Sequence, residues 1–396
     1  MRVFLFSRRD DTSRVFELAI AAVGLTFLAV AIAVHQSWLD RHFLPSFFMP
    51  RDWYVRVESV VRAALASLGV VMIALAGRIA RFVGHTPGRA GSLVLAATLA
   101  LALGEIVLRR APPRPVGWLV PAEEPKREPD PRLGWRLTPA RLGRVRRDGG
   151  AVDYAIDANG YRVRRLDEPV DRTRPSVLFA GESVMFGEGL EWDDTVPARV
   201  AAALGLQAVN VAVHGYGNDQ AYLRLEQESP RFRDVEAIVQ LFMTTLFGRN
   251  LDDDRPHLDR SLTWQPARPP SRLMSLVALL VPYRTDTTVD EGIAMTRAVL
   301  AATIAHARAR HATPLVVVPQ LGRESAPEAA LRHRIFDGSG IPYVFVEIDP
   351  EWHLPWDRHP DVRGDRAIAA AVADGLRNLR SGKAQGTAGG EDGEKP

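Results

Sequence analysis

Cysteine is missing from all 396 residues of the chain, and lysine is scarce. Without thiols the protein has no disulfide bond, no thiolate metal site and no cysteine nucleophile. Lysine occurs only as Lys126, Lys383 and Lys395, so arginine carries nearly all the positive charge. The formal net charge is only +3, and acidic residues are interleaved with the arginines. A nucleic-acid binder would concentrate its basic residues in a stripe, so we expect no nucleic-acid partner.

Charge is also missing from long runs near the N-terminus. Runs without any charged residue occur at Leu18–Val34, Ala63–Gly77 and Gly91–Gly104. A membrane-spanning helix needs about 20 mostly apolar residues. The shorter two runs reach that length if their flanking arginines extend to the membrane interface. The sequence therefore predicts a membrane region over residues 1–110, with transmembrane helices at about 16–35, 60–78 and 91–108.

Arginines around these runs bear on the orientation. Those before the first run and those between the second and third would be cytoplasmic under the positive-inside rule, whereas Arg109, Arg110 and Arg114 argue the opposite way. We expect a multi-pass membrane protein with lipid as a partner and its C-terminal domain outside the cytoplasm. A soluble helical bundle is the alternative. A cleaved signal peptide fits less well, because Asp10 and Asp11 precede the first run.

Composition divides the remainder of the chain. Residues 111–131 are rich in proline and charge, which predicts a linker. Residues 132–172 contain several glycine turn points and predict a small β-rich unit. Strand and helix patterns alternate over residues 173–380, and the glycine-rich tail at 381–396 is predicted to be disordered.

Short apolar runs in the 173–380 region alternate with amphipathic helical patterns. The runs are Val177–Ala180, Ala208–Val213, Ala237–Met243, Leu315–Val318 and Tyr343–Val346. The helical patterns are Val196–Leu204, Asn218–Glu226, Gly292–Ala309, Ala326–Phe336 and about Gly364–Leu379. Buried strands separated by amphipathic helices predict an α/β fold with a doubly wound parallel sheet, covered on both faces.

Three polar features follow strand-like runs, where functional residues of such sheets collect. Ser183 follows the first strand on a glycine turn, and Gly215 lies in a glycine-containing turn after the second. Asp357 and His359 stand on a loop before the last helix. Each has an ordinary alternative, since a serine often caps a helix and a lone histidine is usually structural. Together they fit a nucleophile with an oriented general base. Glu351 is the alternative carboxylate for His359.

These residues resemble the motifs of the SGNH/GDSL hydrolase family, in particular its membrane-tethered bacterial members. The resemblance covers about residues 175–379. Its first motif is similar to Gly181-Glu182-Ser183, with glutamate where aspartate is usual; its second to Asn210–Gly215; and its last to Asp357 and His359. It implies a flavodoxin-like fold, Ser183 as nucleophile, His359 as base, Asp357 as its partner and the Gly215 N–H as an oxyanion donor.

The third family motif is not matched. Counting from the start of the third strand places Thr245 where the family has its oxyanion asparagine, and Asn250 is the alternative donor if the loop bends. The resemblance implies a membrane-anchored serine esterase acting on an acylated exported glycan or lipid. The alternative is a non-catalytic SGNH-like binding or scaffold domain, which Thr245 favours.

Other polar clusters carry less weight. Asp252, Asp253 and Asp254 stand near His257, but consecutive aspartates point in different directions, so we expect a solvated turn. We expect no metal and no cofactor. His214 lies beside Gly215 and either lines the pocket or is structural. Trp352 and Trp356 either stack on a sugar ring or only pack.

Overall fold

A computed structural model describes residues 4–42, 46–47, 51–85, 87–110, 123–147, 150–268, 271 and 284–382. The chain forms two compact units. The first consists of Met1–Arg114 with Pro270–Asp286, and the second of Pro115–Pro269 with Thr287–Pro396. Most of the predicted linker, at 111–122, and nearly all of the predicted tail, at 383–396, lie outside the described residues.

The first unit is helical. Its helices are α1 (Phe4–Ala33), α2 (Gln36–His42), α3 (Arg51–His85) and α4 (Pro87–Arg110). Over the described residues, two stretches are long and apolar enough to cross a membrane, Arg14–Ala33 in α1 and Trp53–Val83 in α3. The prediction of three spans is therefore wrong for this part of the chain. The third predicted run falls in α4, where some positions, among them 93 and 97, lie outside the residues whose side chains are described.

Helices α1 and α3 approach each other closely at two glycines. A Cβ added to Gly69 would lie 2.7 Å from the Gly24 carbonyl oxygen, and one added to Gly24 would lie 2.9 Å from the Gly69 oxygen. Farther along, the Arg62 Nε donates to the Ala31 carbonyl at 2.8 Å and Arg62 pairs with the buried Glu58 at 3.2 Å. Close backbone approach at small residues is typical of helix pairs in membranes.

Large apolar side chains of the same helices face outward. Val15, Leu18, Leu25, Ile32, Val60, Val70 and Phe82 are all exposed. The buried positions include alanines, among them Ala31, Ala76 and Ala80. Small residues inside and large apolar residues outside reverse the usual arrangement of a water-soluble helical bundle.

We expect Gly69→Leu to separate α1 from α3, because the added side chain would meet the backbone of Gly24, which cannot rotate away. Overpacking of this kind costs about 1–3 kcal/mol. Thermal unfolding of the full chain in detergent, followed by circular dichroism, should show a lower midpoint. Val70→Leu is the matched control, because Val70 is 57% exposed. Equal midpoints for both variants would contradict the close crossing.

The second unit is built on a mixed eight-stranded sheet. Its strands are β3 (Arg141–Arg147), β4 (Gly150–Ile156), β5 (Arg162–Val163), β6 (Ser176–Ala180), β7 (Gln207–Asn210), β8 (Val235–Leu241), β11 (Thr313–Leu321) and β12 (Tyr343–Ile348). Two separate hairpins are formed by β1 (Arg127–Asp130) with β2 (Gly134–Leu137) and by β9 (His257–Leu258) with β10 (Trp264–Gln265).

The central part of the sheet is parallel. Strands lie in the order β12-β11-β8-β6-β7, and each neighbouring pair runs in the same direction. Numbered along the chain, these five strands have the order 2-1-3-4-5, which is the flavodoxin-like order. The predicted α/β fold with a mostly parallel sheet is confirmed. The order reverses between β6 and β8, and such switch points open a crevice at the carboxyl ends of the strands.

The predicted division before residue 173 is wrong in two respects. Strands β5, β4 and β3 continue the main sheet beyond β7 in antiparallel fashion, so they are not a separate β-rich unit. The end of the predicted linker forms β1, whose residues pair with Gly134–Leu137. Proline and charged residues are common both in linkers and in exposed edge strands, so composition does not distinguish the two. Strand β1 has only four residues and contains Pro129.

Helices cover both faces of the parallel sheet. They are α5 (Ser183–Phe186), α6 (Val196–Leu204), α7 (Asn218–Glu228), α8 (Asp286–Ala309), α9 (Ala326–Phe336) and α10 (Val362–Arg380). Ala221 of α7 and Ala307 of α8 share one core cluster with Leu178 and Ala180 of β6. Helices α6 and α10 pack together against β7, β11 and β12. Short 3₁₀ turns occupy Trp192–Asp194, Ser229–Arg231 and Thr244–Leu251.

Candidate active site

Ser183 lies at the carboxyl end of β6, at the sheet's switch point. The strand ends at Ala180, and α5 begins at Ser183 itself. Gly181 is required in this turn, because a Cβ there would lie 2.9 Å from both the Leu241 and Met185 Cβ atoms. Glu182 caps the short helix by accepting from the Val184 N–H at 3.0 Å. The turn therefore presents the Ser183 hydroxyl above the sheet edge.

His359 and Asp357 reach the same point from the loop between β12 and α10. The His359 Nε2 lies 2.7 Å from the Ser183 Oγ, and its Nδ1 lies 3.0 Å from the Asp357 Oδ1. The same carboxylate oxygen accepts from the His359 backbone N–H at 2.8 Å, which fixes the loop. Glu351, the alternative partner, is exposed. The structure thus brings together Ser183, His359 and Asp357 as the sequence suggested.

The environment of His359 favours its charged form. Burial alone would lower the pKa of the imidazole, but the hydrogen bond and charge of Asp357, with smaller contributions from Glu182 and Glu188, raise it above the usual value. A base with a raised pKa takes a proton readily when the serine hydroxyl gives one up. A serine, a histidine and a carboxylate in this order can carry out nucleophilic acyl transfer.

Gly215 lies in a turn held from outside by the β1–β2 hairpin. Its φ of 79° is in the left-handed region, which favours glycine. On one side of it, the buried Trp135 donates its indole N–H to the His214 carbonyl at 2.9 Å. On the other, the Tyr216 hydroxyl donates to the Trp135 carbonyl at 2.6 Å. Trp135 therefore braces the turn that would present the Gly215 N–H.

The two other predicted oxyanion donors differ in availability. The Thr245 hydroxyl is buried and has no hydrogen-bond partner among the described residues. The side-chain amide of Asn250 donates to the Asn218 Oδ1 at 3.0 Å and to the Thr296 Oγ1 at 2.9 Å. Both protons of the Asn250 amide are used in these bonds, so Asn250 is not available as an oxyanion donor.

A buried arginine holds the loop that follows Ser183. Arg162 on β5 is fully buried and donates to the carbonyls of Phe186 at 2.6 Å, Gly187 at 2.7 Å and Leu190 at 2.5 Å. Asn210 donates to the Phe186 carbonyl as well, at 3.3 Å. These bonds fix the segment that carries Glu188 toward the site.

Glu188 and His214 form a buried pair next to the triad. The His214 Nε2 contacts the Glu188 Oε2, and the imidazole packs on Phe186 with 4.3 Å between ring centroids. Burial lowers the pKa of His214, although Glu188 opposes this shift. Of the two interpretations of His214, its burial against Phe186 and its pairing with Glu188 support the structural one.

The remaining predicted clusters show no metal geometry. No group of three or more metal-ligating side chains occurs in the part of the chain that the structure describes. Asp253 and Asp254 are exposed, as in a solvated turn. Trp356 is 36% exposed beside Asp357. A Cβ on Gly189 would lie 3.3 Å from the Trp356 ring, so this indole borders the loop after Ser183.

Sequence reasoning missed several residues that shape the site. Arg162 and Trp135 belong to segments that were assigned to a separate unit, so nothing connected them to Ser183. No role in the site is predicted for Arg249 from the sequence, yet its Nη1 lies 3.5 Å from the Glu182 carboxylate. Glu182 was noticed only as a departure from the family motif. No local spacing signals such contacts, because they depend on how distant strands are ordered.

Solved structures share features with the chain at low similarity. One is a protein described as lipolytic and of the G-D-S-L family from Desulfitobacterium hafniense, at 12% identity and a TM-score of 0.31, covering 50% of this chain and 98% of that one. Another is an acetyl xylan esterase from Butyrivibrio proteoclasticus, at 13% identity and a TM-score of 0.35, covering 54% and 66%.

A third is a family two carbohydrate esterase from Cellvibrio japonicus, at 15% identity and a TM-score of 0.32, covering 54% of this chain and 64% of that one. No protein-family profile matches the sequence. A search of curated proteins also found no match. The function proposed below therefore rests on the geometry of Ser183, His359 and Asp357.

Proposed function

We propose that the protein is a serine ester hydrolase of the SGNH/GDSL type. The observation that carries the proposal is the continuous chain of contacts from the Ser183 Oγ to the His359 Nε2 at 2.7 Å and from His359 to Asp357 at 3.0 Å. It stands at the carboxyl end of β6, where a flavodoxin-like sheet opens its crevice. The family motifs at Gly181-Glu182-Ser183 and at Asp357 and His359 point to the same reaction class.

The reaction would proceed through an acyl-enzyme. His359 takes the proton of Ser183 at Nε2 while Oγ attacks the ester carbonyl carbon, and the carbonyl oxygen becomes an oxyanion. The imidazolium then gives this proton to the departing alcohol oxygen as the ester C–O bond breaks. A water molecule next attacks the acyl group with His359 again as base, and Ser183 recovers its proton as the acid leaves.

The oxyanion would be held by N–H groups of the backbone. Those of Ser183 and Gly215 are the proposed donors, since one opens α5 and the other belongs to the turn braced by Trp135. Counting along the third strand gives Thr245 the place of the family's asparagine, so its buried hydroxyl, which has no hydrogen-bond partner among the described residues, is proposed as a weaker third donor. Developing negative charge is stabilised most by donors that are already in place.

Membrane anchoring is the second part of the proposal. Arg14–Ala33 and Trp53–Val83 are long and apolar enough to cross a membrane by length and composition. Their large side chains face outward, and their closest contact is made at glycines. Such a surface suits lipid better than water. A hydrolase outside the cytoplasm would need a third span, because two spans return the chain to the side of the arginines before the first run.

The substrate we propose is an acylated glycan or lipid. The exposed ring of Trp356 next to Asp357 offers a flat apolar surface on which a sugar ring can stack. The alternative function is a non-catalytic SGNH-like domain that binds such a ligand. The replacement of the family asparagine by Thr245 favours it, because a weaker oxyanion donor stabilises the transition state less.

A fluorophosphonate probe separates the two functions. We expect it to label the full chain at Ser183, because attack on phosphorus needs an activated hydroxyl, and labelling should disappear in Ser183→Ala. Ser325→Ala is the matched control, since Ser325 caps the distant helix α9 and should leave labelling unchanged. Absence of labelling in the folded protein would favour the binding domain.

We expect Asp357→Asn to reduce ester hydrolysis far more than Thr245→Ala. The aspartate fixes the His359 tautomer and stabilises the imidazolium in every turnover, and the analogous change in a serine protease costs about 10⁴ in rate. Loss of one oxyanion donor costs about 10²–10³. Rates of p-nitrophenyl acetate hydrolysis decide the comparison, and equal losses would show that the third member of the triad is misassigned.

We expect the protein to stay with the membrane pellet after carbonate extraction. Spanning helices resist this treatment, because releasing them would expose their apolar circumference to water. A version truncated before Glu123 should appear in the supernatant if it is produced in soluble form. Release of the full chain into the supernatant would contradict membrane spanning while leaving the hydrolase proposal intact.

A further inference from the structure

The Ser183 hydroxyl has two close neighbours rather than one. Besides the His359 Nε2 at 2.7 Å, the Glu182 Oε2 lies 2.5 Å from the Oγ. Glu182 is only 4% exposed, so water does not compete for this contact. A hydroxyl carries a single proton and can donate to only one neighbour at a time. The arrangement of protons must therefore change with the protonation of His359.

Glu182 is fixed in place from two directions. Its Oε1 accepts from the Val184 N–H at 3.0 Å, as the cap of α5. Its Oε2 lies 3.5 Å from the Arg249 Nη1, and Arg249 also lies 3.5 Å from the Tyr216 carbonyl oxygen. Arg249 belongs to the turn after β8, so two separate elements hold the carboxylate beside Ser183. These contacts hold the Glu182 carboxylate in one orientation, whereas a glutamate exposed on the surface would sample several rotamers.

When His359 is protonated, its Nε2–H must donate to the Ser183 Oγ, and the hydroxyl proton then points to Glu182. When His359 is neutral, Nε2 accepts, and the hydroxyl turns its proton from Glu182 to His359. The protonated state is thus a chain of contacts through Asp357, His359, Ser183 and Glu182, in which the Nε2 proton and the hydroxyl proton both have acceptors. A buried network of this kind favours the imidazolium.

We propose that Glu182 is a positioning residue of this site, which orients the Ser183 hydroxyl and stabilises protonated His359 across it. During acylation the Ser183 proton moves to the His359 Nε2, and Glu182 exchanges no atom with the substrate. Its charge favours the ion pair formed by that transfer. The catalytic consequence rests on the proposed function, whereas the effect on His359 does not.

Several charged groups face His359 and set the size of the effect. Asp357 lies on the same loop as His359, Glu182 on the turn after β6 and Glu188 on the loop after α5. His214 follows β7, and Arg249 lies beside the Glu182 carboxylate. Glu182 and the imidazole contact one oxygen, so they lie within the ~6 Å over which an opposite charge raises a pKa. Removing the Glu182 charge should lower the pKa of His359 by about one unit.

The test is an NMR titration of full-length protein in detergent, labelled with ¹³C at the histidine Cε1 and assigned with His359→Asn. Glu182→Gln keeps an oxygen that can cap α5 but loses the charge, so the His359 pKa should fall by about one unit. Glu182→Asp keeps the charge on a shorter side chain, so its shift should be smaller. Glu351→Gln, on the same loop as His359 but exposed, should leave the pKa unchanged.

The acidic limb of kcat/KM for p-nitrophenyl acetate should move to lower pH in Glu182→Gln by the same amount, because only neutral His359 acts as base. An unchanged His359 pKa in Glu182→Gln would overturn the inference, as would an equal fall in Glu351→Gln. If Glu182→Gln does not fold, Glu182→Asp provides the test. A His359 pKa equal to that of the wild type, together with an unchanged acidic limb, would then overturn the inference. A shifted pKa without ester hydrolysis would refute the proposed function alone.

Discussion

The buried guanidinium of Arg162 imposes the constraint on which the rest of the site depends. An unpaired charge inside a protein is very costly, so its donors must find acceptors. Its two terminal nitrogens find the carbonyls of Phe186, Gly187 and Leu190, which therefore have to converge on one point. Gly187 must remain glycine there, because a Cβ would lie 2.8 Å from the Arg162 Nη1 and its φ is 87°.

Because the loop from Phe186 to Leu190 is fixed, it determines where the residues around the site lie. The loop carries Glu188 to His214, and it carries Gly189 to the side chains of Leu354 and Trp356 on the His359 loop. Arg162 itself lies on β5, in the antiparallel part of the sheet. The antiparallel extension thus supports the site that opens at the carboxyl ends of the parallel strands. It is part of the same sheet rather than an added domain.

The parallel core and the proximity of Ser183, His359 and Asp357 could be predicted from the sequence, because both depend on local signals. Buried strands such as Val177–Ala180 can be recognised from their apolar composition. Because the carboxyl ends of parallel strands meet at one edge of the sheet, Ser183 and His359 could be predicted to lie close together. The antiparallel strands could not be joined to this sheet, since Arg162 pairs with Asn210 across 48 positions without a pattern that marks it. The contacts of Glu182 and Asn250 depend on side-chain rotamers, about which spacing says nothing.

The antiparallel extension ends in β3, which forms one outer edge of the eight-stranded sheet. Its seven residues include Arg141, Arg144, Arg146 and Arg147. An open edge is a template on which another chain can add a strand. Arg141 and Arg144 already pair with Glu124 and Asp153. A second copy meeting this edge would bring further guanidinium charge against these arginines, which would oppose the pairing. Arginine stays charged at every accessible pH, so this opposition to pairing would persist under acidic and alkaline conditions alike.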